Sequence, residues 1–323
     1  MSALSFLYSQ LFVKPPVPTQ DFHDQTVIIT GGNRGIGYEA ARHLLRLNVA
    51  RIILGVRSVS KGQAAAETLE KSTGRAGVIQ VEELDVASTD SVRAFAARVS
   101  ETEGRVDAVL LNAGIFTHEF VLADGYESTL TVNVINTFLL AILLVPVLRR
   151  SAKPRLSFVA SDRHVMYRLP EWKKPDTFEV LSDPLQCRMK ERYPISKLIM
   201  ILLAKAMAQQ LPSKDIVVNT FTPGYCVSGL TDNVHGVTKL ALWLLAKTTA
   251  RSTEVGGRTL VWAIAQGPES HGKYLNDCKV DESALAPFVN SSEGIMARDK
   301  LWKELLEILD KKHSGICSCL EPT

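Results

Sequence analysis

Six short apolar runs, each followed by a stretch long enough for a helix, constrain this chain more than any other feature. The runs are Thr26 to Thr30, Arg51 to Val56, Gly77 to Val81, Val106 to Leu111, Arg155 to Ala160 and Ile216 to Phe221. They are nearly continuous in apolar residues and do not alternate, as strands covered on both faces require. Helix-patterned stretches at 35–47, 60–71, 88–103, 124–149, 193–211 and 252–266 are long enough for right-handed crossovers. The pattern predicts an α/β fold: a Rossmann-type, doubly wound, mostly parallel sheet. At 323 residues and 46% hydrophobic content, one such domain with extensions accounts for the whole chain.

Charge excludes some partners. Thirty-seven basic against 34 acidic residues give +3, with no dense basic block, so no nucleic-acid partner is expected. Five scattered cysteines (Cys187, Cys226, Cys278, Cys317, Cys319) fit a reducing, cytoplasmic compartment better than a disulfide scaffold. The histidines are dispersed singly, so no metal is expected. Between Met1 and Val13, Leu4, Leu7, Tyr8 and Leu11 recur at helical spacing before Lys14-Pro15-Pro16-Val17-Pro18. This is too short to span a bilayer, so no transmembrane segment is expected there. It reads as an amphipathic arm packed on the body; peripheral membrane contact and attachment to a partner subunit are the other readings.

Thr30-Gly31-Gly32-Asn33-Arg34-Gly35-Ile36-Gly37 follows the first run and opens the first helix. Glycines there let the backbone turn tightly and approach a pyrophosphate, whose charge meets the free N–H groups of a helix N-terminus. After the second run an Asp or Glu would select NAD through the ribose 2'-hydroxyl. The chain has Gly55-Val56-Arg57-Ser58 instead. Arg57 and Arg34 together suit a 2'-phosphate, since guanidinium offers phosphate oxygens a planar charged fork. NADP(H) is therefore expected over NAD(H).

Tyr193-Pro-Ile-Ser-Lys197 puts a phenol and an ammonium on one helix face, with Pro194 tolerable if it lies in the first turn. A neighbouring lysine would lower the phenol's pKa and fit it for proton transfer. Ser161 ends one run, Asn112-Ala113-Gly114 follows another, and Asn133 lies on the long stretch after that. With Thr30-Gly-x-x-x-Gly-Ile-Gly37, Asp85-Val86 and Pro223-Gly224, these motifs make the chain resemble the short-chain dehydrogenase/reductase family from about Gln25 to Asn276. Asp124-Gly-Tyr-Glu127 and Gly55-Val-Arg57 are similar to the retinol-dehydrogenase-like branch. Pro15-Pro-Val-Pro18, Ser270-His-Gly-Lys-Tyr274 and Leu301-Trp-x-Glu-Leu305 resemble reductases of filamentous-fungal specialised metabolism.

The resemblance implies hydride transfer between a nicotinamide and a carbonyl or alcohol carbon. In it Tyr193 is the proton donor or acceptor, Lys197 holds the nicotinamide ribose, Ser161 hydrogen-bonds the substrate oxygen, and Asn133 positions a relaying water. Gly31, Arg34, Gly35, Ile36, Gly37, Arg57, Lys61, Asp85, Asn112, Ala113, Gly114, Pro223, Gly224 and Val227 would line the cofactor. Residues 1–21 then form the arm and 22–323 the NADP-binding catalytic domain. Ser161 and Tyr193 stand 32 positions apart, more than in many relatives, and the extra stretch 162–192 reads as a flap suited to a bulky apolar substrate. Residues 225–250 read as a second substrate wall and 292–312 as a closing helix. An isomerisation, epimerisation or cyclisation on the same pocket, or a silent NADP-binding regulator, are the alternatives. A homodimer paired through helices near 124–149 and 193–211 is compatible with the apolar run at 138–144.

Overall fold

The computed structural model describes residues 3–227, 229 and 247–321. Its sheet is built from β1 (Thr26–Thr30), β2 (Arg51–Val56), β3 (Ile79–Glu83), β4 (Ala108–Leu111), β7 (Arg155–Val159), β8 (Val217–Phe221), β9 (Tyr274–Asn276) and β10 (Lys279–Val280). β5 (Leu122–Ala123) and β6 (Tyr126–Glu127) form a separate small hairpin. The strand order is β10-β9-β8-β7-β4-β1-β2-β3, and every pairing is parallel except β9 with β10. The expected doubly wound parallel sheet is therefore present, with two short strands added at one edge. The third strand begins at Ile79 and not at Gly77, because Gly77 takes φ +74° and Glu70 Oε1 accepts from the amides of Val78 and Ile79 at 2.8 Å each.

Both faces of the sheet are covered, which explains the unbroken apolar runs. Ile28, Val109, Leu156 and Val218 point to one side, where Phe95, Phe138, Ile199 and Leu305 pack. Ile29, Leu54, Leu110 and Phe221 point to the other, against Leu44 and Leu260. Strand order reverses between β1 and β4, and ligands of open α/β sheets bind beyond the carboxyl ends of the strands at such a switch point.

The stretch 124–149 does not form one helix. After the hairpin it runs as Ser128–Leu130, a π-helical turn Thr131–Ile135, Asn136–Leu143 and Val145–Leu148. Pro146 cannot continue the helical hydrogen-bond ladder, and π-turns cluster at functional positions. The helix Met189–Gln210 starts a turn before Tyr193, so Pro194 lies inside it and not in its first turn. That earlier start is anchored by the buried Arg192, whose Nε lies 3.3 Å from Glu127 Oε2 and whose Nη2 donates to the Leu181 carbonyl.

Residues 162–192 are an ordered segment. They fold into short 3-10 turns and the helix Thr177–Leu181, with Leu169, Phe178 and Leu181 buried in the core. The segment is fastened to the closing helix Ser292–Lys312: Glu304 accepts from the Thr177 amide, and Lys300 donates to the Trp172 carbonyl at 2.9 Å. Its aromatics complete the core, while Met166 and Leu185 face solvent. Most of the second wall expected at 225–250, including Leu240 to Leu245, lies outside the described residues.

The arm does pack on the body, as the helix Ala3–Phe12, but with the reverse polarity to that suggested by its apolar spacing. Ser9 and Gln10 are buried, whereas Leu4 (80% exposed), Tyr8, Leu11 and Phe12 (74%) face outward. The body presents Arg251 and Asp277 there, and buried charged groups need polar partners more than apolar cover. Among the described residues no helix is long and apolar enough to cross a membrane.

Candidate active site

The candidate residues gather along the carboxyl edge of one parallel sheet. Gly31 to Gly37 follow β1, Arg57 and Lys61 follow β2, and Asp85 follows β3. Asn112 to Gly114 follow β4, Ser161 follows β7, and Pro223, Gly224 and Val227 follow β8. In the first turn Gly31 has φ +71°, and a Cβ there would meet the Ala113 backbone at 3.2 Å. A Cβ on Gly37 would lie 2.9 Å from the Gly31 carbonyl oxygen. Only glycine fits either position. The helix Gly35–Arg46 starts without a side-chain cap, so its first N–H groups have no side-chain acceptor from Arg34. A backbone cradle at an uncapped helix N-terminus fits a pyrophosphate.

Asn112 braces this turn: its Nδ2 donates to the carbonyls of Thr30 at 2.8 Å and Gly31 at 3.1 Å. Thr30, at the head of the glycine motif, returns the tie, its Oγ1 accepting from the amides of Asn112 and Ala113. Arg34 and Arg57 are exposed and rise from neighbouring strand ends, where Thr30 pairs with Gly55. Lys61 sits in the first turn of the next helix, its amide donating to Ser58 Oγ. Asp85 serves its own turn, accepting from the Ala87 amide at 3.0 Å.

Ser161, Tyr193, Lys197 and Asn133 converge. The Tyr193 phenol lies beside the Ser161 side chain, whose Oγ accepts from the Arg163 amide at 3.3 Å. Lys197 Nζ is 5.7 Å from the Tyr193 ring centre and donates to the Val159 carbonyl at 2.7 Å. Gly114 abuts both Asn133 and Lys197: a Cβ there would meet Asn133 Oδ1 at 3.1 Å and Lys197 Nζ at 3.8 Å. Asn133 Oδ1 accepts from the Ile115 amide, and Nδ2 donates to the Ile115 carbonyl and to Ser196 Oγ. Ser196 Oγ in turn donates to the Tyr193 carbonyl at 2.7 Å. Both ends of this amide are thus committed to protein.

Burial pushes the Tyr193 phenol above 10.0; the neighbouring Ser161 hydroxyl and the nearby Arg163 charge pull it back, and Asp162 opposes them. Burial also brings the Lys197 ammonium down to about 7. Three neighbours escaped the sequence reading. The Phe116 ring lies 5.0 Å from that of Tyr193, tilted by 56°, and the Arg163 guanidinium carbon is 5.4 Å from its centre. Asp162, pushed up to about 6 by burial, accepts from Tyr274 Oη at 3.3 Å. The only sequence signal for them was adjacency to Ser161 and Gly114.

Residues 25–170 match the short chain dehydrogenase family profile. The chain is 69% identical over 333 residues to the short-chain dehydrogenase anuD of Penicillium roqueforti, covering 100% of this chain and 87% of that protein. It belongs to the short-chain dehydrogenase family. The short chain dehydrogenase/reductase dmxR8 of Cryptosporiopsis sp. is 40% identical over 327 residues, 98% of this chain and 99% of that one. The crystal structure of an Escherichia coli short chain dehydrogenase complexed with NADPH shares the fold at a TM-score of 0.60. It does so with 22% identity over 80% of this short-chain dehydrogenase and 99% of the bacterial one.

Proposed function

We propose that this protein is an NADP(H)-dependent oxidoreductase that interconverts a carbonyl and an alcohol on a lipophilic small molecule. The observation that carries the reading is the Tyr193 phenol beside both Ser161 and the buried Lys197, all at the carboxyl edge that carries the glycine cradle. The cofactor, when bound, supplies or accepts the hydride at the reacting carbon.

In reduction, Tyr193 Oη gives its proton to the substrate oxygen as negative charge builds there, and Ser161 Oγ donates a hydrogen bond to the same atom. The raised phenol pKa suits the protonated starting form. Lys197 in its charged form holds the ribose hydroxyls and returns positive charge to the phenol. Asn133, through Ile115 and Ser196, keeps the strand end and the Tyr193 helix in register. The amides of Gly35, Ile36 and Gly37 receive the pyrophosphate, and Gly114, Pro223 and Val227 flank the nicotinamide half. Phe116 gives the reacting end an apolar border. A polyketide, terpenoid or alkaloid intermediate fits both that border and the likeness to filamentous-fungal reductases.

Arg34, Arg57 and Lys61, with no carboxylate between Val56 and Lys61, support the choice of the phosphorylated cofactor. Removing both guanidinium groups (Arg34→Ala with Arg57→Ala) should raise the Michaelis constant for NADPH roughly tenfold to a hundredfold, the worth of one or two charged hydrogen bonds. The constant for NADH should barely move. Equal losses with both cofactors would refute the assignment.

A further inference from the structure

We propose that the N-terminal helix is a strut for the Pro223–Val227 turn, with Gln10 and Arg251 as positioning residues for the nicotinamide end of the cofactor site. The proposal rests on the functional reading above for what the turn holds. The strut itself is visible in the hydrogen bonds.

Arg251 is 6% exposed and its guanidinium joins three parts of the chain. Nη1 donates to the Pro223 carbonyl at 3.3 Å. Nη2 donates to the carbonyls of Ser9 at 3.0 Å and Val13 at 3.2 Å and to Ser9 Oγ at 3.2 Å, and it pairs with Asp277 Oδ1 at 2.5 Å. Ser9 Oγ closes the ring by donating to Asp277 Oδ2 at 2.6 Å. The backbone repeats the connection: the Arg251 amide donates to the Tyr225 carbonyl, and the Val227 amide donates to the Arg251 carbonyl.

Gln10 completes the turn from the arm side, its Oε1 accepting from the Tyr225 amide at 3.2 Å. Gly224, at φ +74°, has room for no side chain: a Cβ would lie 2.6 Å from Gln10 Nε2 and 2.8 Å from Arg251 Nη1. A helix whose outer face is apolar thus reaches the turn after β8 directly through buried Gln10, and through buried Ser9 by way of Arg251. A lysine at 251 would keep the charge near Asp277, but it could not bridge Pro223, Ser9 and Val13 together.

Amide hydrogen exchange on the cofactor-free protein tests the strut without turnover. In Gln10→Ala, exchange across 223–227 should quicken about tenfold, the loss expected of roughly one hydrogen bond, while the Gly35–Arg46 helix stays unchanged. The NADPH dissociation constant, read by titration, should rise about fivefold or more. Gln10→Glu, which keeps an acceptor for the Tyr225 amide, should restore both. Arg251→Lys should fall between wild type and Arg251→Ala in the same two readouts. Unchanged exchange at 223–227 in Gln10→Ala would overturn the proposal, as would faster exchange with unaltered NADPH affinity. Wild-type protein that binds no NADP(H) would instead bring down the functional reading, and the positioning role with it, even if the exchange rates behaved as expected.

Discussion

His164 shows how a single side chain ties Ser161 to the rest of the protein. Its Nδ1 lies 2.7 Å from the Ser161 carbonyl, and its Nε2 lies 3.1 Å from the Ala286 amide that donates to it. That pair of partners needs the neutral ring protonated on Nδ1. Burial brings the histidine down from 6.5 to about 4. Between those values the unfolded chain holds a proton that the folded protein refuses, so stability rises with pH through this window and falls as pH drops from 6.5 to 4. The contribution is about 3 kcal/mol by linkage. His164→Gln, which does not titrate, should lose less stability on acidification, so the gap between wild type and variant in urea denaturation should narrow from pH 7 to pH 4. A constant gap would show that His164 does not titrate this way. The residues legible in the sequence were those whose chemistry sits in short motifs, such as Tyr193 with Lys197. Gln10 and Arg251 were not legible, because each acquires meaning only from partners more than two hundred positions away.

At the scale of elements, periodicity located the strands and most helices, since a buried parallel strand and an amphipathic helix leave distinct signatures. It missed the places where one side chain overrules the local pattern. Glu127 is fully buried, accepts from the amides of Thr129 and Leu130, and pairs with Arg192, so the chain turns there instead of continuing a helix from 124. Arg192 also binds the Leu181 carbonyl and Cys187, which fixes the segment after Ser161 against the helix that carries Tyr193. Breaking this pair leaves a buried charge unpaired. Arg192→Met should cost about 3–5 kcal/mol in denaturant unfolding, and Glu127→Gln added to it should cost less than the sum of the two single changes. A loss below about 1 kcal/mol for Arg192→Met would mean that the pair does not hold the helix start. In 162–192, buried Phe178 and Leu181 belong to the core that the closing helix completes, and Thr177 bonds Glu304 on that helix, a contact between segments more than a hundred residues apart.

For the whole molecule, the reversal of strand order between β1 and β4 puts the glycine cradle, the Asn112 brace and the Ser161–Tyr193 pair along one edge. The strand pattern was enough to expect the doubly wound sheet, because covering both faces demands unbroken apolar runs, whereas the residues on its edge were legible only as motifs and through the family resemblance. The polarity of the arm was not foreseeable, since the groups it meets come from the far end of the chain. The central claim is that this edge passes a hydride to a carbonyl carbon while Tyr193 supplies the proton. Incubation of the protein with NADPH deuterated at the transferable position and a panel of lipophilic ketones and aldehydes tests it directly. The account predicts one deuterium on the new carbinol carbon for each NADPH consumed. It also predicts that Tyr193→Phe lowers turnover by about a thousandfold, with cofactor binding retained. Product formed without deuterium or without matching NADPH consumption, or full turnover in Tyr193→Phe, would contradict it.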